Sequence, residues 1–356
     1  MVLSLRLLLE KGKDHMVSKP NYSGLDWLKF IAALFVIANH TSPLLSYNEY
    51  FDFLFSGIIS RLAVPIFFMS TGFFFFRKLT GDKVKDQKAL FIYLKKIGIL
   101  YLIAVLLYIP LNMYKGDFST HFTFGSFIRD IVFDGTFYHL WYLPALIIGL
   151  VLTYYLHQKM SLSMLLVVGF LFYVIGLFGD SYYGISENIA VLKHFYEWLF
   201  HFFDYTRNGL FYAPIYLILG IWAAKRPQPA RTPINYACLF LISLALMIAE
   251  ASFLKALQFP RHDSMYVFAW PATYFLFHWA LSWRGRSGKA FREWRVWIYI
   301  LHPIAIVLVR GAAEFVKLEA LFITNSLIHF VAVCLASIVM AALAVRISVI
   351  KFKFRP

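Results

Sequence analysis

The chain has 356 residues, of which 60% are hydrophobic and 19% aromatic, and its mean hydropathy is +0.67. No soluble domain of this size hides so much apolar surface, so the composition excludes a water-soluble globular fold and predicts an all-α polytopic membrane protein. The formal net charge of +15 would also suit nucleic acid, but the positions of the basic residues assign it to membrane topology instead.

Residues 1–21 read as a cytoplasmic N-terminal extension. "MVLSLRLLLE" is too short for a signal peptide and runs into charges, and Met16 offers an alternative start. Residues 22–350 read as one transmembrane domain and 351–356 as a cytoplasmic tail. About ten apolar windows are long enough to cross a bilayer. They fall at 25–45, 56–76, 97–114, 139–157, 161–179, 207–224, 233–254, 265–283, 296–312 and 321–345. The third and ninth are short and give the weakest signal. The outer segments 115–138 and 180–206 are rich in aromatics and read as re-entrant or interfacial. Cys238 and Cys334 lie inside apolar spans and read as packing residues.

Lys and Arg set the orientation. With the N-terminus in the cytoplasm, the inner segments hold 4, 7, 1, 3, 5 and 4 basic residues in turn, 24 of the 34. Acidic residues such as Asp130, Asp134, Asp180 and Asp204 lean outward. Both termini are therefore expected in the cytoplasm.

Ionisable side chains inside apolar spans cost several kcal/mol and mark function. "GLDWLKFIAALFVIANH" begins the first span with Asp26 and Lys29 and ends it with His40. At 1.5 Å per residue, Lys29 sits ~6 Å in and His40 ~22 Å in. The second span enters from the other side, which puts Arg61 ~8 Å below the outer surface. His40 and Arg61 thus share a level on neighbouring helices. Trp141 and Tyr142 in "HLWYLPAL", Asn208 in "TRNGLFYAP", Glu250, and His262 and Asp263 in "RHDSMY" are expected at the same outer level, around one polar cavity.

Bland roles compete with each of these. Arg61 could pair with a buried carboxylate such as Glu250. Lys29 could snorkel, and Asp26 could serve the helix dipole. Trp141 and Tyr142 could belong to an aromatic belt, and Asp263 could cap a turn. His302-Pro303 could be a kink with a buried donor. No HxxxH, HExxH or Cys cluster points to a metal, and no Walker, GxGxxG or GxSxG motif occurs.

The D-x-x-K…H pattern of Asp26, Lys29 and His40 is followed by "RLAVPIFFMSTGFFF", "HLWYL" and "IYILHP". In that order these motifs resemble the acyltransferase-3 family of integral membrane O-acyltransferases, over roughly residues 22–350. Within it, "NHTSPL", "RNGLFYAPIYLILG" and "RHDSMY" are similar to the membrane domain of vancomycin-resistance serine racemases. Lys29 stands where the family usually carries Arg, which keeps the charge but loses a bidentate grip. No lysine-bearing cofactor domain lies within these residues, so racemisation is not expected.

The resemblance implies a bacterial plasma-membrane enzyme. It implies acyl-CoA as co-substrate, with no bound cofactor. It implies, as acceptor, a hydroxyl on an envelope glycan or lipid-linked sugar. In that plan His40 is the general base and Arg61 stabilises the developing oxyanion. Lys29 and Asp26 serve the CoA end, while Trp141, Tyr142, Asn208, Glu250, His262 and Asp263 contact the acceptor. The likeness to the racemase membrane domain keeps a second reading open, a transporter of serine or another small amino acid.

Overall fold

The computed structural model describes residues 22–116, 123–225 and 232–353. The N-terminal extension read at 1–21, the alternative start at Met16 and residues 354–356 of the tail lie outside them. The described chain is all-α, with fourteen α-helices and no strand. In chain order these are α1 (Ser23–Thr41), α2 (Glu49–Asp52), α3 (Ala63–Phe76), α4 (Lys83–Lys115), α5 (Phe124–Arg129), α6 (Tyr142–Lys159) and α7 (Leu162–Phe178). There follow α8 (Tyr183–Asn188), α9 (Ala190–Leu199), α10 (Ala213–Lys225), α11 (Pro233–Ala256), α12 (Ala269–Leu281), α13 (Lys289–Phe315) and α14 (Ser326–Lys353).

A helix stands in each of the ten windows. Five helical segments are long and apolar enough to cross a membrane: Glu49–Phe76, Lys83–Lys115, Pro233–Ala256, Phe291–Phe315 and Ser326–Ile347. Leu162–Phe178 and Ala213–Lys225 are shorter apolar helices. The two weak windows turn out to be parts of the long helices α4 and α13, of 33 and 27 residues. Hydropathy registers only their apolar stretch. Lysines and arginines continue the helix beyond it, because straight-chain residues are good helix formers. The basic segments assigned to loops at 77–96 and 284–295 are therefore largely helical. α4 starts at a cap, where the Asp82 carboxylate accepts from the Val84 and Lys85 N–H groups at 3.0 and 3.2 Å.

The core is organised around α10, whose residues from Ala213 to Ile221 are all buried. It crosses α3 so closely that a Cβ on Gly72 would lie 2.1 Å from the Leu217 carbonyl oxygen, and one on Gly220 2.2 Å from that of Met69. Small residues at both crossing points let the backbones meet, a common membrane-helix contact. The outer ring is different. In α4, α11 and α14 only 22, 22 and 28% of the apolar window is buried, and Leu102, Leu106, Leu241 and Leu335 are exposed. Helices apolar all round suit a lipid solvent. Cys238 and Cys334 are both free. Cys238 is exposed on α11, and Cys334 packs against a small cluster built on α1, α13 and α14.

Besides α11, which begins at Pro233, four helices carry a proline in the first turn: Pro65 in α3, Pro144 in α6, Pro214 in α10 and Pro271 in α12. Proline is tolerated there because those N–H groups have no intrahelical partner. Before α3 the chain leaves α geometry altogether, running as a π-helix over Phe53–Ile58 and a 3-10 turn over Ile59–Leu62. Arg61 sits on that turn. Mid-span irregularities of this kind often mark functional positions.

Candidate active site

The starts of three of these helices, α3, α6 and α10, and the segment leading to the fourth, α12, border one small cavity of ≈ 60 Å³. Arg61 and Val64 line it from the start of α3, Trp141 and Tyr142 from α6, Tyr212 from the residue before α10, and Ser264 from the segment leading to α12. Opposite them is His40, in the last turn of α1. Helix N-termini carry partial positive charge and unpaired N–H groups, so the walls favour negative charge. His40 and Arg61, paired in the sequence by level alone, thus face one space.

A reciprocal clamp sets their spacing. The Asn39 amide donates to the Ser60 carbonyl at 3.3 Å, and the Ser60 hydroxyl donates to Asn39 Oδ1 at 3.0 Å. Each clamp residue precedes a site residue, so the bond ties α1 to the Arg61 turn. Arg61 donates from Nη2 to the Asp263 carboxylate at 2.9 Å, and its Nε has no partner among the described residues. A second guanidinium, Arg207, reaches the cavity from the other side. It donates to the Ser264 hydroxyl at 2.9 Å and lies over the Trp141 ring at 5.2 Å.

Three imidazoles pack together here. His302 stacks on His40, with ring centroids 5.3 Å apart, and His139 meets His302 edge-on at 5.0 Å. Pro303 explains His302. Proline has no N–H, so the Tyr299 carbonyl loses its helical donor. The His302 Nδ1 takes that place at 2.8 Å, which makes Nδ1 the donor and leaves Nε2 as a buried acceptor. His302 is fully buried at the level of His40. The window starting at 296 had put it in the inner half of its span. α13 starts seven residues earlier, which moves His302 about 10 Å deeper. Among the described residues, no three His, Cys, Asp or Glu side chains are arranged to hold a metal ion.

At the far end of α1, Asp26 and Lys29 are both buried. They form an ion pair at 3.7 Å. Asp26 is held more tightly by α13. Arg295 donates to it at 2.8 Å, Ser287 at 2.7 Å, and Arg292 lies 3.6 Å away. Asp26 therefore gathers cations rather than facing the cavity itself. Lys29 and Arg295 line a cavity of ≈ 320 Å³ that is otherwise mostly apolar. Sequence reading missed Arg292, Arg295 and the Asn39–Ser60 clamp, whereas Arg207, carried with Asn208 in "TRNGLFYAP", was expected at the level of His40 and does line the central cavity. The polarity of this end is larger than expected, because both arginines lie on the first turns of α13 rather than in a loop.

The residues expected around the acceptor divide into two groups. Trp141 and Tyr142 line the central cavity. Asn208 does not reach into it: its Oδ1 accepts from the Leu210 and Phe211 N–H groups, folding the approach to α10. Glu250 does not pair with Arg61. Its carboxylate accepts from the Tyr182 hydroxyl and from the Val267 and Phe268 N–H groups at 2.7, 2.6 and 3.0 Å, capping the approach to α12. Asp263 acts through Arg61. His262 packs on Tyr205, at 4.5 Å between rings, outside the central cavity. Burial, then Arg207 and Arg261, lower its pKa to about 4.

Three cavities stand in series. The inner one and the central one share Tyr142 and Tyr299, whose rings meet edge-on at 5.5 Å. The central one and an outer vestibule of ≈ 450 Å³ share Tyr138 and Arg207. A small basic chamber thus sits between two larger spaces, one ending at Lys29 and Arg295, the other at Lys115 and Arg129.

An imidazole and two guanidiniums thus gather beside the starts of helices, inside a bundle of apolar helices. The chain belongs to the acyltransferase domain family, whose pattern matches residues 22–346. Curated relatives include an amino-acid racemase of Enterococcus faecalis, 40% identical over 92% of this chain and 45% of its own length. A second amino-acid racemase of that organism is 34% identical over 91% and 46%. A serine/alanine racemase of Enterococcus gallinarum is 33% identical over 88% and 45%. The chain therefore spans less than half the length of these relatives. No solved structure matches significantly.

Proposed function

We propose that the protein is a membrane O-acyltransferase that moves an acyl group, an acetyl group on grounds of cavity size, from acyl-CoA to a hydroxyl of a cell-envelope glycan or lipid-linked sugar. The observation that carries the reading is the central chamber, where His40 and Arg61 share ≈ 60 Å³ between two larger cavities. The donor enters from the cytoplasmic side, past Lys29 and Arg295, whose charges suit CoA phosphates. The acceptor enters from the opposite side. His40 takes the hydroxyl proton as the oxygen attacks the thioester carbon. Negative charge gathers on the carbonyl oxygen and is met by Arg61, with Arg207 and the helix N-termini in support. The C–S bond then breaks, and the thiolate takes the proton from His40. Ester and free CoA thiol leave at opposite ends. The basic excess of the inner segments supports a plasma-membrane protein with both termini in the cytoplasm.

One finding favours a second reading. The matched relatives are named for amino-acid and serine/alanine racemases, and the chain covers less than half of each. A carrier of serine would use the same small chamber, with Arg61 on the carboxylate. Reconstitution separates the two. Label passing from radiolabelled acetyl-CoA to envelope glycan, and lost in His40→Ala, supports transfer. Labelled serine accumulating in vesicles, with no acyl transfer, replaces that reading with transport.

A further inference from the structure

Two guanidiniums line the central chamber, and both take a side-chain partner from one short segment. Arg61 donates to Asp263 at 2.9 Å and Arg207 to Ser264 at 2.9 Å. Asp263 and Ser264 are neighbours in the segment 261–266, which is neither helix nor strand. Such a segment has no hydrogen-bond ladder of its own, so its N–H groups must end on other parts of the chain.

Three of its six N–H groups end on one residue, Asp180. The Asp180 carbonyl oxygen accepts from the Arg261 N–H at 3.1 Å, and its Oδ1 accepts from the Ser264 and Met265 N–H groups at 2.8 and 2.9 Å. Ser181 adds a fourth tie: its hydroxyl, 3.0 Å from Asp180 Oδ1, also lies 3.3 Å from the His262 carbonyl oxygen. Asp180 is itself fixed. It is fully buried in the turn that leaves α7, and its own N–H donates to the Leu177 carbonyl at 3.1 Å. One turn back, a Cβ on Gly176 would lie 2.5 Å from Met265 Cε, so α7 and the segment are in close contact. A buried carboxylate is costly unless hydrogen-bonded, and its hydrogen bonds are roughly twice as strong as neutral ones. Asp180 does not line the central chamber, so it reaches the chamber only through the residues it holds.

We infer that Asp180 is a positioning residue of the chamber: by fixing the segment 261–266 it sets where Asp263 holds Arg61 and where Ser264 holds Arg207. The inference rests on the acyltransfer reading for what the two guanidiniums do. It makes their placement depend on a carboxylate that meets neither substrate. A misplacement of about 1 Å at a reacting centre costs about 10²-fold in rate, which gives the hold its importance.

The test is a double-mutant cycle on the full chain in lipid nanodiscs, with acetyl-CoA as donor and envelope glycan as acceptor. Asp180→Ala is expected to lower kcat about 10²-fold and Ser264→Ala about tenfold. KM for acetyl-CoA stays unchanged in both, since the donor enters at the Lys29 end. The double variant is expected to be no slower than Asp180→Ala alone, because the first substitution has already displaced Ser264. Asp180→Asn keeps an acceptor oxygen for both N–H groups and retains most of the rate. Where Asp180→Ala does not fold, Asp180→Ser, whose hydroxyl reaches less far, takes its place. Losses that multiply in the double variant, a rise in KM in place of a fall in kcat, or an Asn variant as slow as the Ala variant overturns the inference. A second readout needs no turnover. Phenylglyoxal labelling of Arg207, mapped by peptide mass, is expected to quicken several-fold in Asp180→Ala and in Ser264→Ala, with Arg284, exposed between α12 and α13, as the control. Faster labelling in a protein without acyl transfer leaves the hold standing and removes the acyltransfer reading. Acyl transfer with neither labelling nor kcat altered does the reverse.

Discussion

The two ends of the cavity series differ in how they hold charge. At the Lys29 end, three cations, Lys29, Arg292 and Arg295, gather round one carboxylate, Asp26, and the balance is positive. At the Lys115 end, three cations meet three carboxylates and the balance is nil. The first arrangement attracts anions through a field that salt weakens. The second, with its charges paired, has little net field for salt to weaken. The two cavities on either side of the central chamber thus differ in their electrostatics.

The largest effect falls between the two ends. His40→Ala is expected to lower acyl transfer about 10²- to 10⁴-fold in single-turnover assays while acyl-CoA still binds at the Lys29 end. Loss of binding along with turnover would break the separation of roles. Next comes Asp26→Asn, which leaves Arg295 and Lys29 without a counter-charge in a buried setting. A loss of about 3 kcal/mol is expected, read as a lowered unfolding midpoint in nanodiscs. An unchanged midpoint would mean the cluster is solvated. Lys29→Ala is milder: KM for acyl-CoA rises about tenfold with kcat unchanged, and the salt dependence of KM flattens. Lys29→Arg retains both, and a matching defect at the acceptor end would dissolve the contrast.

The smallest effect is in pH. The His262 imidazole sits at about 4 in the fold, against an ordinary value near 6.5. The unfolded chain therefore takes up this proton first as pH falls. The contribution is whole above 6.5 and is lost as pH drops toward 4. His262→Gln should flatten the fall of the unfolding midpoint across that window. An unaltered slope would show that the ring is not sheltered.

Level along a helix was legible in the sequence for His40 and Arg61, though not for His302, and direction around a helix was not legible at all. Residue counting brought His40 and Arg61 together because rise per residue is constant. It could not tell that Glu250 and Asn208 spend their oxygens on backbone N–H groups, since those bonds depend on turns at 208–211 and 267–268 with no periodic signature. Arg295 was lost for a related reason. It belongs to a helix whose first turns are too polar for a hydropathy window, so its contact with Asp26, 269 positions away, had no visible cause. The His302-Pro303 pair was visible as a motif, but its meaning needed the stacked neighbour.

Among the described residues, the inner and central cavities meet at the edge-on contact of Tyr142 and Tyr299. A bilayer that closes a compartment also holds differences in ions and voltage across itself. Those two phenols are then a gasket as well as a wall of the chamber. Trimming either ring would widen the contact between the two cavities and so weaken the barrier between the two ends of the series.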